Sequence, residues 1–553
     1  MKRLLVVVLL CVPAFGQAYS GTGTSRGTVS YTANGGGQFV TGVGENSYCP
    51  AGSSGELTEG TPAWGATDGV ANLPTQCMNT AVASTPSGTR IGGGAATAWS
   101  PADGPALTAL LGGSSLLCGD TIQLTAGQTY IDSATFTFPA PACDGGHWIT
   151  VKSSGVSNGN FPSEGMRATP CIIGLANDAT NGRQVPGYPD YACTSYPAVL
   201  TAKIQAPAAS GQSAIEFASG ANHYRFVGIE VTKSDGYRPG QLIALAPDSV
   251  TLGANHIIFD RSIIHGVGWT AAGDIYTETQ SGLAAKNSQW IALINSWNYD
   301  TYCNSSCVDS QGFNGGTGAY QDGPFKLYNN LVATAGESFL IGGGGQGIGT
   351  PNTHHFEVRA NHFFKPLIWM QAIETCSVFY NFPIVKNLGE FKNGVLALLE
   401  GNVYENSWQG CQSDQTGFAQ IIATKNQNAK AGMVANFDGT NVVTRASGGA
   451  FIHQCGNNPN CSPADAANCP PGGCVLEISD SSRGGVDDGR DYRFCNGTNG
   501  CTQTGDLVNT ASLTSTVPTG SAINTYTCVP GDCPSCKIQH MTMRFNEIMN
   551  VIQ

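Results

Sequence analysis

A short phrase returns along this chain: a β-branched or aromatic run, an Asn or Asp, then another apolar pair. It runs through His256-Ile257-Ile258-Phe259-Asp260-Arg261-Ser262-Ile263-Ile264 and comes back around Asn295, Asn330, Asn361, Asn402 and, last, Asn546. From Asp260 to Asn402 the steps are 35, 35, 31 and 41 residues. Periods of that length mark a solenoid, in which each copy is one unit that buries its apolar face only by stacking on the next. The repeated Asn residues read as a turn ladder, because Asn tolerates tight turns and stacked amides bond to one another.

The segments between these copies narrow the architecture. Cys118-Gly119-Asp120-Thr121-Ile122-Gln123-Leu124, His147-Trp148-Ile149-Thr150-Val151, Ala214-Ile215-Glu216-Phe217 and Tyr224 to Val231 are short and rich in β-formers, with Gly, Asn, Asp or Ser at their ends. No long amphipathic helix interrupts them. Short strands without helices, one solenoid turn apart, favour a parallel β-helix over βαβ units.

The first residues read as a secretory leader. Met1-Lys2-Arg3 precedes an apolar run from Leu4 to Val12, and small residues end at Ala18. The run is too short for a membrane span, and an exported protein is expected. Of 20 Cys, Cys11 lies in the leader, which leaves 19. That abundance suits an oxidising compartment, and an odd number leaves one thiol free or paired outside the chain. Local pairs expected are Cys118 with Cys143, Cys171 with Cys193, Cys303 with Cys307, and Cys376 with Cys411.

The domain order expected is a leader at 1–18, a loop-rich N-terminal segment or cap at 19–105, the β-helix at 106–427, a Cys-rich insertion at 428–537, and a further rung at 538–553. The insertion breaks the repeat and holds nine Cys. The chain stops directly after a rung, which reads either as a truncated product or as a frayed terminal strand.

Cys118 to Leu124, Cys143-Asp144-Gly145-Gly146-His147-Trp148-Ile149, Ala221 to Glu230, Asn361 to Pro366 and Val385 to Asn393 together resemble the pectin-lyase-like right-handed β-helix proteins. Within these they resemble a subgroup of large secreted bacterial proteins such as those of acidobacteria. The resemblance covers roughly residues 60 to 427 and the last rung. It implies an all-β, right-handed parallel β-helix with a disulfide-rich loop insertion. The wider superfamily consists mostly of polysaccharide lyases and hydrolases, with non-catalytic adhesins and tailspikes beside them.

The charge pattern limits the partners. Charged residues are only 12% of the chain, and the net charge is −12, so a nucleic-acid face is not expected. Between His354 and Lys392, however, Arg359, Lys365, Lys386 and Lys392 outnumber Glu357, Glu374 and Glu390. Such a local excess suits the carboxylates or sulfates of an acidic polysaccharide or cell-surface glycan. His362, Trp369 and Trp408, with Tyr404, Phe363 and Phe364, fall in the same region and are candidates to bind or stack on sugar. Ordinary surface charge and inward-facing core aromatics are the plainer readings.

Glu390 and Lys392 are two apart, which on a strand puts both on one face. In a β-elimination Lys392 would take the C5 proton of a uronate, and Glu390, with Ca²⁺ as the expected cofactor, would neutralise its carboxylate. Glu-x-Lys before a rung Asn faintly resembles the lyase branch acting on alginate and dermatan. That branch uses a Lys base and an Arg acid, with the Arg after the Lys. Arg359 is the candidate here and precedes it. A salt bridge is the plainer role for Glu390 and Lys392. Hydrolysis would instead need two carboxyl groups, and Asp309, Asp322 and Glu337 are candidates. Asp487 and Asp488, near Asp480 and Asp491, are a second possible Ca²⁺ site. A glycan-binding adhesin or matrix protein without catalysis is the alternative to both enzyme readings.

Overall fold

The computed structural model describes residues 88–170, most of 173–422, the strands Ala450–Cys455, Cys474–Ser479 and Asp491–Phe494, most of 538–552, and two short strands, Thr32–Ala33 and Gly37–Gln38. The expected leader at 1–18, most of the expected N-terminal segment, Cys171, Cys193, Cys376, Cys411, Asp322, Asp487 and Asp488 lie outside the described residues.

The strands line up in three parallel sheets of ten, nine and eight strands. The chain visits them in rotation. Phe325–Tyr328 belongs to the first sheet, Leu331–Thr334 to the second and Glu337–Ile341 to the third, and His354–Arg359 returns to the first. Every strand-to-strand pairing within the three sheets joins one coil to the next coil in parallel register. This is a parallel β-helix, right-handed as crossover connections between parallel strands are.

Alternation along each strand fills the interior. Phe226, Phe259, Leu293, Leu327, Val358 and Leu399 are Cα partners from coil to coil, and all are buried. Phe226 and Phe259 stack with centroids 4.5 Å apart. Each such side chain contributes roughly 1.5–3 kcal/mol of hydrophobic stabilisation.

The corner between the first and second sheets carries the Asn ladder, and it divides the two jobs that the sequence suggests for one residue. The turn position has positive φ at Arg261 (46°), Asn295 (53°), Asn329 (56°) and Ala360 (54°). The next residue makes the ladder. The backbone N–H of Ser262 donates to Ser296 Oγ (3.0 Å), that of Ser296 to Asn330 Oδ1 (2.9 Å), and that of Asn330 to Asn361 Oδ1 (3.0 Å). Asn361 and Asn402 continue the row to Asn402 and Asn546, at 3.1 and 3.0 Å. Asn295 therefore stands in the turn row, where it bonds Asp260 and Asn329, and not in the row of Asn330.

The opposite corner, between the third and first sheets, stacks rings. His223 and His256 lie 4.3 Å apart and nearly parallel, and Trp290 continues the stack at 5.2 Å from His256.

A nine-residue helix, Gly104–Gly112, lies at the N-terminal end, where the sequence suggested only loop and the start of the β-body. Asp103 caps it by accepting from the Ala106 N–H, and Leu107 and Leu111 bury in the core. A Cβ at Gly104 would collide with the Ile131 carbonyl, so the helix start sits flush on the first coil.

Cys118–Cys143 and Cys303–Cys307 are disulfides. Ile538–Arg544 pairs directly with Gly394–Glu400, so residues between Ile422 and Ile538 form an excursion between two adjacent coils. Three strands of that excursion make a separate antiparallel sheet. No helix among the described residues is long and apolar enough to cross a membrane.

Candidate functional site

Residues assigned in the sequence to two competing chemistries meet at the corner between the second and third sheets. Lys386 Nζ lies 3.0 Å from Asp309 Oδ1 and 3.7 Å from Glu337 Oε1. Asp309 and Glu337 thus flank one ammonium. Gln311 Nε2 donates to Glu337 Oε2 at 3.4 Å. One step along the third sheet, Asn387 Nδ2 donates to Glu390 Oε2 at 3.2 Å, and Lys392 Nζ is 3.5 Å from Glu390 Oε1.

The fold delivers each group for a local reason. Glu337 opens the strand Glu337–Ile341, in phase with the core residues Phe339 and Ile341, so its carboxyl enters the corner and not solvent. Its N–H donates to Ser310 O (2.8 Å), and the Gly336 N–H donates to Ser310 Oγ (2.9 Å). A side chain at Gly336 would strike the Ser310 carbonyl. Asp309 follows the Cys303–Cys307 disulfide by two residues, which tethers the loop that presents it. Lys386 is held through its N–H on Ala335 O at 2.9 Å.

The electrostatics separate these groups. Burial pushes the Glu337 carboxyl well above the ordinary carboxylate range, and Asp309 adds to the rise against the pull of Lys386. Both effects favour the neutral form of Glu337 over its carboxylate. Burial opposes the Lys386 charge, but Glu337 and Asp309 outweigh it and hold the ammonium above its usual value. The side chains of Glu337 and Lys365 are 0% exposed, whereas Asp309 is 28% and Lys386 16% exposed. Substrate would thus meet Asp309 and Lys386.

Other sequence candidates have different positions. Arg359 ends a first-sheet strand, where it pairs with Glu357 (2.6 Å) and Glu400 (3.6 Å) and lies over the Tyr328 ring. Lys392 lies just before the strand Gly394–Glu400, at its opposite end. That strand's length, about 20 Å, separates them, so they do not form a base and acid around one bond. His362 is buried on the second sheet and bonds Glu405 Oε2 at 2.8 Å. Trp369 and Trp408 are 1% and 2% exposed and pack with Trp269, Tyr302 and Val385, so they form a wall behind Lys386 and not a platform for sugar. Lys365 is buried under the turn that precedes Glu337 and does not face solvent.

Gln311, Asn387 and the Thr334–Gly336 carbonyls were not anticipated. Backbone carbonyls leave no mark in a sequence. Glu337 did leave one, as a carboxylate in the phase of the core. No group of three or more His, Cys, Asp or Glu suited to a metal ion occurs among the described residues. Glu390, expected as a Ca²⁺ ligand, accepts from Asn387 and lies 3.5 Å from Lys392 Nζ.

No family model and no curated protein matches this chain. Among solved structures, a pectate lyase, Pel9A, matches at 13% identity over 65% of this chain and 88% of its own, with a TM-score of 0.31. An alginate lyase from Paenibacillus sp. str. FPU-7 matches at 12% identity over 59% and 87%, with a TM-score of 0.25. The A-module of the Azotobacter vinelandii mannuronan C-5 epimerase AlgE4 matches at 9% identity over 58% and 78%, with a TM-score of 0.26. The fold assignment rests on the sheet topology of this chain itself.

Proposed function

We propose that this protein is an exported carbohydrate-active enzyme that cleaves an acidic polysaccharide by β-elimination, with proton transfer at the Asp309–Glu337–Lys386 corner. The observation that carries the reading is a partly exposed Asp309 with a partly exposed ammonium 3.0 Å from it, beside a buried Glu337 whose carboxyl burial pushes up.

In this reading the Lys386 ammonium receives the uronate carboxylate, which makes the adjacent C5 proton more acidic. Asp309 takes that proton. The C5–H electron pair forms the C4=C5 double bond, the C4–O bond breaks, and Asp309 returns the proton to the leaving oxygen. Glu337, which burial pushes towards its neutral form, stands beside Asp309 at the same ammonium throughout. Hydrolysis by Asp309 and Glu337 fits less well. Both carboxyls would have to reach the glycosidic bond, and the Glu337 side chain is fully buried. The leader, the high Cys content and the two described disulfides support export. The likeness to acidobacterial secreted proteins belongs to the same reading.

The test is ultraviolet absorbance of unsaturated uronate ends, measured across a panel of uronic-acid polysaccharides. Asp309→Asn is expected to lower kcat by about 10²–10⁴-fold, and Lys386→Met to raise KM as well. Lys392→Ala and Arg359→Ala are expected to retain most activity. Activity lost in Lys392→Ala but kept in Asp309→Asn would move the base to Lys392. No product with any substrate, from folded protein, would leave glycan binding without cleavage.

A further inference from the structure

Lys365 Nζ donates to three successive main-chain carbonyls: Thr334 O at 2.9 Å, Ala335 O at 2.7 Å and Gly336 O at 2.7 Å. Three converging acceptors match an ammonium, which has three N–H groups to give, and not a neutral amine, which has two. The next residue after this turn is Glu337. Lys365 itself is anchored one coil away, since its carbonyl accepts from Asn406 Nδ2 at 2.9 Å. Ala335 O accepts from both Lys365 Nζ and the Lys386 N–H, at 2.7 and 2.9 Å. Burial lowers the Lys365 pKa to about 7, and the three acceptors favour its ammonium form; this one buried lysine ties together the turn that aims Glu337 and the segment that carries Lys386.

We propose that Lys365 is a positioning residue for the Asp309–Glu337–Lys386 corner, acting through the Thr334–Gly336 turn and never touching substrate. The inference rests on the elimination chemistry proposed above, but its structural half does not need that chemistry. The charged and titratable groups around Glu337 are Asp309, Lys386, Glu390 and Lys365. Removing the Lys365 charge leaves the Glu337 carboxyl with one fewer cation to favour its ionisation. It also takes one donor from each of three buried carbonyls, leaving a cavity suited to a free ammonium ion.

The experiment compares wild type, Lys365→Met and Lys365→Arg, with and without ammonium or methylammonium chloride and with sodium chloride as the control. Two readouts are taken. The first is kcat and KM on whichever uronate polymer the wild type cleaves. The second is the titration of the Glu337 carboxyl by carbon NMR, assigned with Glu337→Gln. The expected result for Lys365→Met is a kcat about 10²-fold lower with KM little changed, a Glu337 titration moved to higher pH, and partial recovery of both with ammonium but not sodium. A raised KM with unchanged kcat would make Lys365 a substrate contact and overturn the proposal. An unmoved Glu337 titration in a folded variant would overturn it too. If wild type cleaves nothing, the elimination reading fails, and the titration with its ammonium rescue still decides the role of Lys365. Should Lys365→Met not fold in any salt, Lys365→Arg decides: the proposal predicts a folded protein with reduced kcat, and wild-type kcat and Glu337 titration would sink it.

Discussion

Glu337 is the residue whose state depends most on its surroundings. Burial and Asp309 raise its folded-state pKa above the ordinary 4.5. A carboxyl whose pKa is raised on folding contributes stability that is full below its unfolded value and is lost as pH rises through its folded value. Its contribution therefore falls progressively above about pH 4.5. Glu337→Gln keeps a neutral donor and removes the titration. We expect wild type to lose melting temperature relative to Glu337→Gln as pH is raised from 5 towards 9. Parallel melting curves across that range would show that Glu337 is not held protonated. Asp120, Glu230 and Asp260 act in the opposite sense. Hydrogen bonds and ion pairs outweigh burial at each and lower their pKa, so what they contribute is lost in acid. At this scale the sequence was legible as chemistry but not as partnership. Asp309, Glu337, Lys386, Glu390 and Lys392 all attracted attention as titratable groups. Which of them meet depends on loops of unequal length between the second and third sheets, and the spacing of residues does not encode that. Arg359 shows the converse, since it is near Lys392 in number and a strand's length away in space.

The element that repeats is the corner between the first and second sheets, where adjacent residues have opposite demands. Ala360 takes positive φ, which costs an L-residue about 1–2 kcal/mol, while Asn361 next to it supplies the ladder. Asn361 Oδ1 accepts from Asn330 N and Nδ2, both at 3.0 Å, and its Nδ2 donates to Leu327 O (2.8 Å) and Asn402 Oδ1 (3.0 Å). Replacement by Ala strips partners from buried groups on two neighbouring coils. We expect Asn361→Ala to destabilise by about 2–4 kcal/mol, and Ala360→Gly, which relaxes the turn but gives up backbone entropy, to remain within about 1 kcal/mol of wild type. Denaturant melts of the two variants check this, and equal losses would mean that the ladder has no special role. The repeat length made this corner legible. The one-residue offset between Asn295 and Asn330 did not, because Asn serves both the turn and the ladder and Ser262 and Ser296 take the ladder place in earlier coils. The terminal helix Gly104–Gly112 was hidden for another reason: its nine residues are too few to show a clear apolar stripe.

Over the whole molecule, a solenoid is close to one-dimensional: each coil contacts its neighbours, and stability is a sum of coils and interfaces. The Cys-rich excursion sits in such a stack without separating it. The partners Gly394↔Ile538, Ala397↔Met541 and Glu400↔Arg544 are in the same parallel register as the pairs before them. The second sheet continues likewise, with Val403↔Glu547 and Trp408↔Ile552. The last described coil therefore meets its neighbour through its own backbone and ladder, including the 2.9 Å bond from Asn402 Nδ2 to Asn546 Oδ1. Closing a loop costs entropy that grows only slowly with length, so shortening one changes stability by about 1–2 kcal/mol at most. Replacing residues 428–536 by a short Gly-Ser linker should leave the β-helix folded, with a melting temperature near wild type and hydrogen-exchange protection retained in Ile538–Arg544. Loss of protection confined to that strand would mean that the excursion holds the final coil in place. Loss throughout the stack would mean that it supports the solenoid as a whole. The stacking register predicts neither loss, since every hydrogen bond named at this junction is made between coils.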